Sequence, residues 1–155
     1  MTRLNVRDEL VSSCAIAALT TQYLTAEYTL TPEDRYLTLM SKDDAINFAN
    51  MVWFMCQVMG WLPADTLPIF VDAVDEDTFR VSEGASCLGI ALWIMTPDGE
   101  RQAGFRISAR GRSKVIILHE IAHLICDQRH IQGHNLNWLR MYCSLLELFC
   151  GINVT

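Results

Sequence analysis

Residues 115–134 read VIILHEIAHLICDQRHIQGH, and no other stretch of the chain restricts the fold as much. Over residues 115–125 every position is apolar except His119, Glu120 and His123. A run that is apolar nearly all round predicts a buried helix. Two imidazoles and a carboxylate inside such a helix each carry a desolvation cost unless they are paired. Positions i and i+4 lie one turn apart on one helix face, so His119 and His123 can present two ring nitrogens to a single ion. A metal with its bound water would satisfy all three polar groups at once.

The spacing is H-E-x-x-H, which places two ligands and one general base on a single rigid helix. Zinc takes about four tetrahedral ligands, and a catalytic site draws three from protein and leaves one position for water. Glu120 is adjacent to His119 and points off to the side, so it reads as the base and not as a ligand. The other two histidines of the chain, His130 and His134, fall in the same stretch. The metzincin continuation H-x-x-G-x-x-H is absent, because Cys126 and Arg129 stand three and six residues after His123. His134 follows Gly133 and precedes Trp138, which opens a new apolar run. This has the form of a turn that delivers a histidine.

H-E-x-x-H, a short loop, then a histidine with an aromatic four residues on resembles the SprT-like and WLM-type metallopeptidases. The segment Leu118-His119-Glu120-Ile121-Ala122-His123 also resembles the L-H-E-x-A-H core of small metallohydrolases of actinobacteria and their phages. The likeness covers about residues 109–151. It departs from the pattern at Asn135, where Gly, Asp or Ser is usual, and at Trp138, where Phe is usual. No Cys-rich zinc ribbon follows, so the DNA–protein-crosslink role of some SprT relatives is not carried over. The resemblance implies a compact α+β zincin-like fold, bound Zn2+ and peptide hydrolysis. The third ligand is expected first at His134, then at His130, then at Asp127 or Glu147, with Cys126 more naturally a core residue.

A chain of 155 residues with 51% hydrophobic and 19% charged content fits one globular domain, residues 1–155, with a substantial core. No apolar run approaches the 18 residues of a membrane span. Asp8 and Glu9 interrupt any signal-peptide n-region, so the start reads as a helix. The six cysteines form no C-x-x-C pair and sit mostly among apolar residues, which points to reduced thiols and a cytoplasmic protein. Residues 1–100 carry fifteen acids against five bases, and 101–155 carry three against seven. Arg106, Arg110, Arg112 and Lys114 precede the motif, but four bases on a chain of net charge −6 are a weak nucleic-acid signal. A solvated loop that balances acidic neighbours is the simpler account.

Taken in order, helices are expected at 8–28 and 41–59, the second capped by Ser41 with Asp43 and Asp44 in its first turn. Strands are expected at 67–74, 87–95 and 102–107, the last two joined as a hairpin by Thr96-Pro97-Asp98-Gly99-Glu100. The acidic run 75–77 lacks calcium-loop spacing and reads as a turn. Ser113 would cap the motif helix, and Asn135 and Gly151 would bound the last one. Segregated helices and strands give an α+β fold with N-terminal helices, a small, mainly antiparallel sheet of about three strands, the zinc-binding helix and a C-terminal helix.

The expected activity is a zinc-dependent metallopeptidase with His119, His123 and His134 on the metal, Glu120 as base and a protein or peptide substrate. Strand 102–107 is a candidate edge for holding an extended peptide. Tyr142 and, behind it, Arg140 are candidate oxyanion donors. A zinc hydrolase of non-peptide amides and a non-catalytic, zinc-stabilised binding protein are the alternatives. An intact Glu120 speaks against the last, because a purely structural site has no use for a base. The sequence leaves the oligomeric state open.

Overall fold

A computed structural model describes residues 38–82, 85–128 and 136–151. The expected helix at 8–28, Asn135, His130 and His134 lie outside the described residues.

Helix α1 (Lys42–Val58) begins as the sequence predicts: the Ser41 hydroxyl accepts from the Asp44 amide at 3.1 Å, and Asp43 and Asp44 sit in the first turn. It ends at Gly60, whose φ of 77° a side chain would resist. Its buried stripe is Ala45, Phe48, Ala49, Val52, Trp53 and Cys56, the i, i+3, i+4 spacing of a face turned to a core.

Among the described residues five strands follow: β1 (Phe70–Ala73), β2 (Phe79–Ser82), β3 (Ala85–Cys87), β4 (Gly89–Met95) and β5 (Arg101–Ile107). The Thr96–Glu100 turn closes the β4–β5 hairpin as expected, with the Thr96 and Gly99 amides donating to Glu100 and Thr96 carbonyls and Gly99 at φ 82°. The three-stranded sheet has the order β1-β5-β4, with β4 antiparallel and β1 parallel to β5. Two expectations are corrected here. The sheet is mixed, and strand 102–107 is its centre, not its edge. Both hydrogen-bonding sides of that strand are taken, since Gly104 lies opposite Phe70 of β1 on one side and Leu92 of β4 on the other. The sequence reading also missed the separate β2–β3 hairpin.

Helix α2 (Lys114–Gln128) carries the motif, and α3 (Leu136–Cys150) packs against it. Seven apolar residues of α2, from Val115 to Ile125, have 1% exposure or less. Each such Leu or Ile contributes roughly 1.5–3 kcal/mol on burial. Gly151, at φ 67°, ends α3, and its amide donates to the Glu147 carbonyl. Helices α1 and α2 cover the face of the sheet that presents Ala103, Phe105 and Ile107. Among the described residues no helix is long and apolar enough to cross a membrane.

Candidate active site

The site is built where the start of β4 crosses the middle of α2. Three contacts fix that crossing. Ser108 is fully buried, and both its amide and its hydroxyl donate to the Leu88 carbonyl, at 3.0 and 2.8 Å. Gly111 comes so close to the same carbonyl that a Cβ there would lie 2.4 Å from the Leu88 oxygen, so no larger residue fits without moving backbone. At the other end of the strand, the Trp93 indole N–H donates to the Leu124 carbonyl at 3.2 Å.

Gly89 is thereby held directly over Glu120. A Cβ on Gly89 would stand 3.0 Å from both Cγ and Oε1 of that side chain, so the missing methyl group is the space Glu120 occupies. Glu120 is 6% exposed, and burial pushes its carboxyl up to about 8. That is the direction needed by a group that takes a proton in one step and returns it in another. Cys87, just before β4, has its thiol raised, first by burial and then by the Glu120 charge, against a lowering hydrogen bond from the Gly89 backbone. Neither Gly89 nor Cys87 stood out in the sequence. A glycine at a strand start ordinarily reads as turn chemistry, and its partner here lies 31 residues away.

His119 and His123 are half-buried, and their Nε2 atoms converge to 3.2 Å. Two nitrogens held at 2.0–2.1 Å from one tetrahedral zinc are about 3.3 Å apart. The spacing therefore fits a shared metal, and an imidazole pair beside a carboxylate is a donor set that suits zinc.

Aromatic side chains of α3 set the orientation of both rings. Trp138 stacks on His123 at 5.2 Å and 26° and meets His119 edge-on at 4.8 Å, while its indole N–H donates to the His119 carbonyl at 3.4 Å. Tyr142 stacks on Trp138 and meets His119 edge-on at 5.6 Å. Both aromatics are fully buried.

Among the other described candidates only the Tyr142 ring joins this arrangement, and its hydroxyl is directed elsewhere. The Tyr142 hydroxyl donates to the Val115 carbonyl at 3.2 Å, which commits it to the first turn of α2. Arg140 and Glu147 lie exposed on α3. Cys126 is 3% exposed within the core. Among the described residues no group of three or more metal-binding side chains occurs, and Asp127, whose side chain is not described, joins His130 and His134 beyond that statement. The basic residues leading into α2 find separate partners: Arg106 pairs with Asp72 at 3.0 Å and lies over Phe79, and Lys114, the first residue of the helix, lies over Phe48. In the acidic turn, Asp75 pairs with Lys42 at 2.8 Å, and that contact holds its carboxyl below the usual range.

No protein-family model, no curated protein and no solved structure matches the chain.

Proposed function

We propose that this chain is a zinc-dependent metallopeptidase of the zincin type, with His119 and His123 as metal ligands, Glu120 as general base and His134 as the favoured third ligand. The observation that carries the reading is the 3.2 Å approach of the two Nε2 atoms on the helix whose next side chain, Glu120, is buried beneath Gly89. Zinc bound there would polarise the substrate carbonyl and acidify a water molecule. Glu120 takes the proton of the attacking water and passes it to the leaving amide nitrogen. Its burial leaves few competing partners for that proton.

Substrate is held along β4, the strand that ends the three-stranded sheet on the side of the site. An extended peptide added to that strand would gain main-chain hydrogen bonds, with its scissile bond near Gly89. The fixed position of β4, tied to the Ser108–Gly111 turn and to Leu124, supplies the rigidity such positioning needs. Tyr142 belongs to the support of the metal helix, since its hydroxyl is taken up by Val115. Free thiols at Cys56, Cys87, Cys143 and Cys150 agree with work in a reducing compartment such as the cytoplasm.

The deciding experiment compares wild type with Glu120→Gln. Both should bind one zinc by elemental analysis, and only wild type should cut a peptide library or a proteome digest. A wild-type protein with stoichiometric zinc that cleaves non-peptide amides and no peptide would move the substrate class. Undiminished turnover in Glu120→Gln would remove the assignment.

A further inference from the structure

The hydrogen bonds of the β4–β5 hairpin fix which groups of β4 face away from β5. The Thr96 amide donates to the Glu100 carbonyl at the turn, and the Ser108 amide to the Leu88 carbonyl at the far end. The Ile107 carbonyl is taken by the Val74 amide on the β1 side. Bonded and non-bonded pairs alternate in an antiparallel ladder, so the bonded pairs are Ile90 with Arg106, Leu92 with Gly104 and Ile94 with Gln102. Gly89, Ala91 and Trp93 therefore turn their amides and carbonyls to the open side of the sheet. The Gly89 amide donates there to the Cys87 sulfur, and those of Ala91 and Trp93 have no partner among the described residues. The same three residues face the helices, with Gly89 over Glu120 and Trp93 bonded to Leu124. By alternation Ile90 and Leu92 point to the other face of the sheet, where they are 38% and 41% exposed. Neither has an apolar neighbour across β5. Leu92 lies opposite Gly104, which has no side chain, and Ile90 lies opposite Arg106, whose guanidinium is drawn off to Asp72 and Phe79.

We infer that Ile90 and Leu92 select the substrate, and that the site takes extended peptides that are β-branched or aromatic at two positions, i and i+2. The inference rests on the metallopeptidase reading and names its substrate class. The occupant is an extended backbone because the free groups of Ala91 and Trp93 recur every second residue, as those of a strand do. A strand laid on them sets two of its side chains beside Ile90 and Leu92, whether it runs parallel or antiparallel to β4. The residue between those two faces the helices beside Ala91, on the side where Glu120 lies under Gly89. Cross-strand pairs of aromatic and β-branched side chains are each worth up to about fivefold over alanine. The two positions together select by up to roughly 25-fold in kcat/KM.

The test is cleavage of a degenerate peptide library by the zinc-loaded full chain, read by mass spectrometry, for wild type, Ile90→Thr and Leu92→Thr. Threonine keeps the β-branch that suits a strand, and zinc content and thermal unfolding of each variant establish that it is folded. Wild type should favour Ile, Val, Phe or Tyr at two positions separated by one residue, at a fixed distance from the cut. Each variant should lose the preference at one of those positions and keep it at the other. Cleavage by wild type without that paired preference overturns the inference and leaves the metallopeptidase standing. Variants that retain both preferences do the same. Zinc-loaded wild type that cuts nothing in the library removes the metallopeptidase reading and the inference with it.

Discussion

Gly89 and Glu120 share one volume: a Cβ on the glycine would lie 3.0 Å from the carboxylate's Oε1. The three atoms nearest to that methyl group all belong to Glu120, so it is the glutamate that must give, by a few tenths of an ångström. Gly89→Ala should therefore bind zinc with little change in affinity while kcat/KM falls by up to about tenfold, less than the ~10²-fold cost of misplacing a catalytic group by a full 1 Å. Isothermal titration with zinc and peptide kinetics on the same preparation separate the two effects. A variant that lost zinc and activity in parallel would instead mean that the glycine supports the helix and not the base.

The proposed metal ligands and the proposed base can be told apart by what each substitution removes. His119→Ala or His123→Ala should abolish stoichiometric zinc, and activity with it. Glu120→Gln should keep the metal and lose about 10²–10⁴-fold in kcat, the usual worth of a positioned acid–base group. For His134→Ala the expected result is loss of zinc, and stoichiometric zinc in that variant would return the third position to His130 or Asp127. Glu147 is the weakest of the original candidates, because it lies exposed on α3.

The parts of this site that were legible in the sequence are those fixed by local geometry. The i, i+4 spacing of His119 and His123 determines their shared face in any helix, and the Ser41 cap and the Thr96–Glu100 turn are decided within four or five residues. What could not be read is set by pairing across the chain. Nothing in residues 102–107 reveals that β1 will lie parallel to them and displace them from the edge, since that pairing joins Phe70 to Gly104. The β2–β3 hairpin escaped because its strands are only four and three residues long. The cradle for Glu120 depends on Ser108 and Gly111 gripping Leu88, a contact between segments about twenty residues apart.

Burial makes the interior thiols poor nucleophiles. Cys56 is pushed up to about 12 and Cys150 to about 11 by desolvation. The thiolate is the reactive form, so at pH 8 each is present at about one part in a thousand or less, in a site that reagent also reaches poorly. Treatment of the native protein with iodoacetamide, followed by peptide mapping, should leave Cys56 and Cys150 unmodified, while both become alkylated in denaturant. Rapid native labelling of Cys56 would mean that α1 separates from the core far more often than its packing allows.

Tyr142 offers the sharpest division between support and chemistry. Its hydroxyl is fully buried and donates to the Val115 carbonyl, while its ring packs edge-on against His119 and stacks on Trp138. Tyr142→Phe keeps the ring and removes one hydrogen bond, leaving a buried carbonyl less well satisfied, so a stability loss of about 1–3 kcal/mol is expected. Zinc affinity and kcat should stay within a few-fold of wild type below the lowered melting temperature. An oxyanion donor behaves differently, since its removal costs about 10²–10³-fold in kcat. Trp138→Phe then serves as the companion: it removes the indole N–H from the His119 carbonyl and shrinks the surface stacked on His123. Groups that orient metal ligands are typically worth 10–100-fold in metal affinity, so this variant should bind zinc more weakly at nearly unchanged kcat when saturated with the metal. A loss in kcat for Tyr142→Phe, with zinc affinity intact, would restore the tyrosine to the reaction itself and require its hydroxyl to leave Val115 when substrate binds.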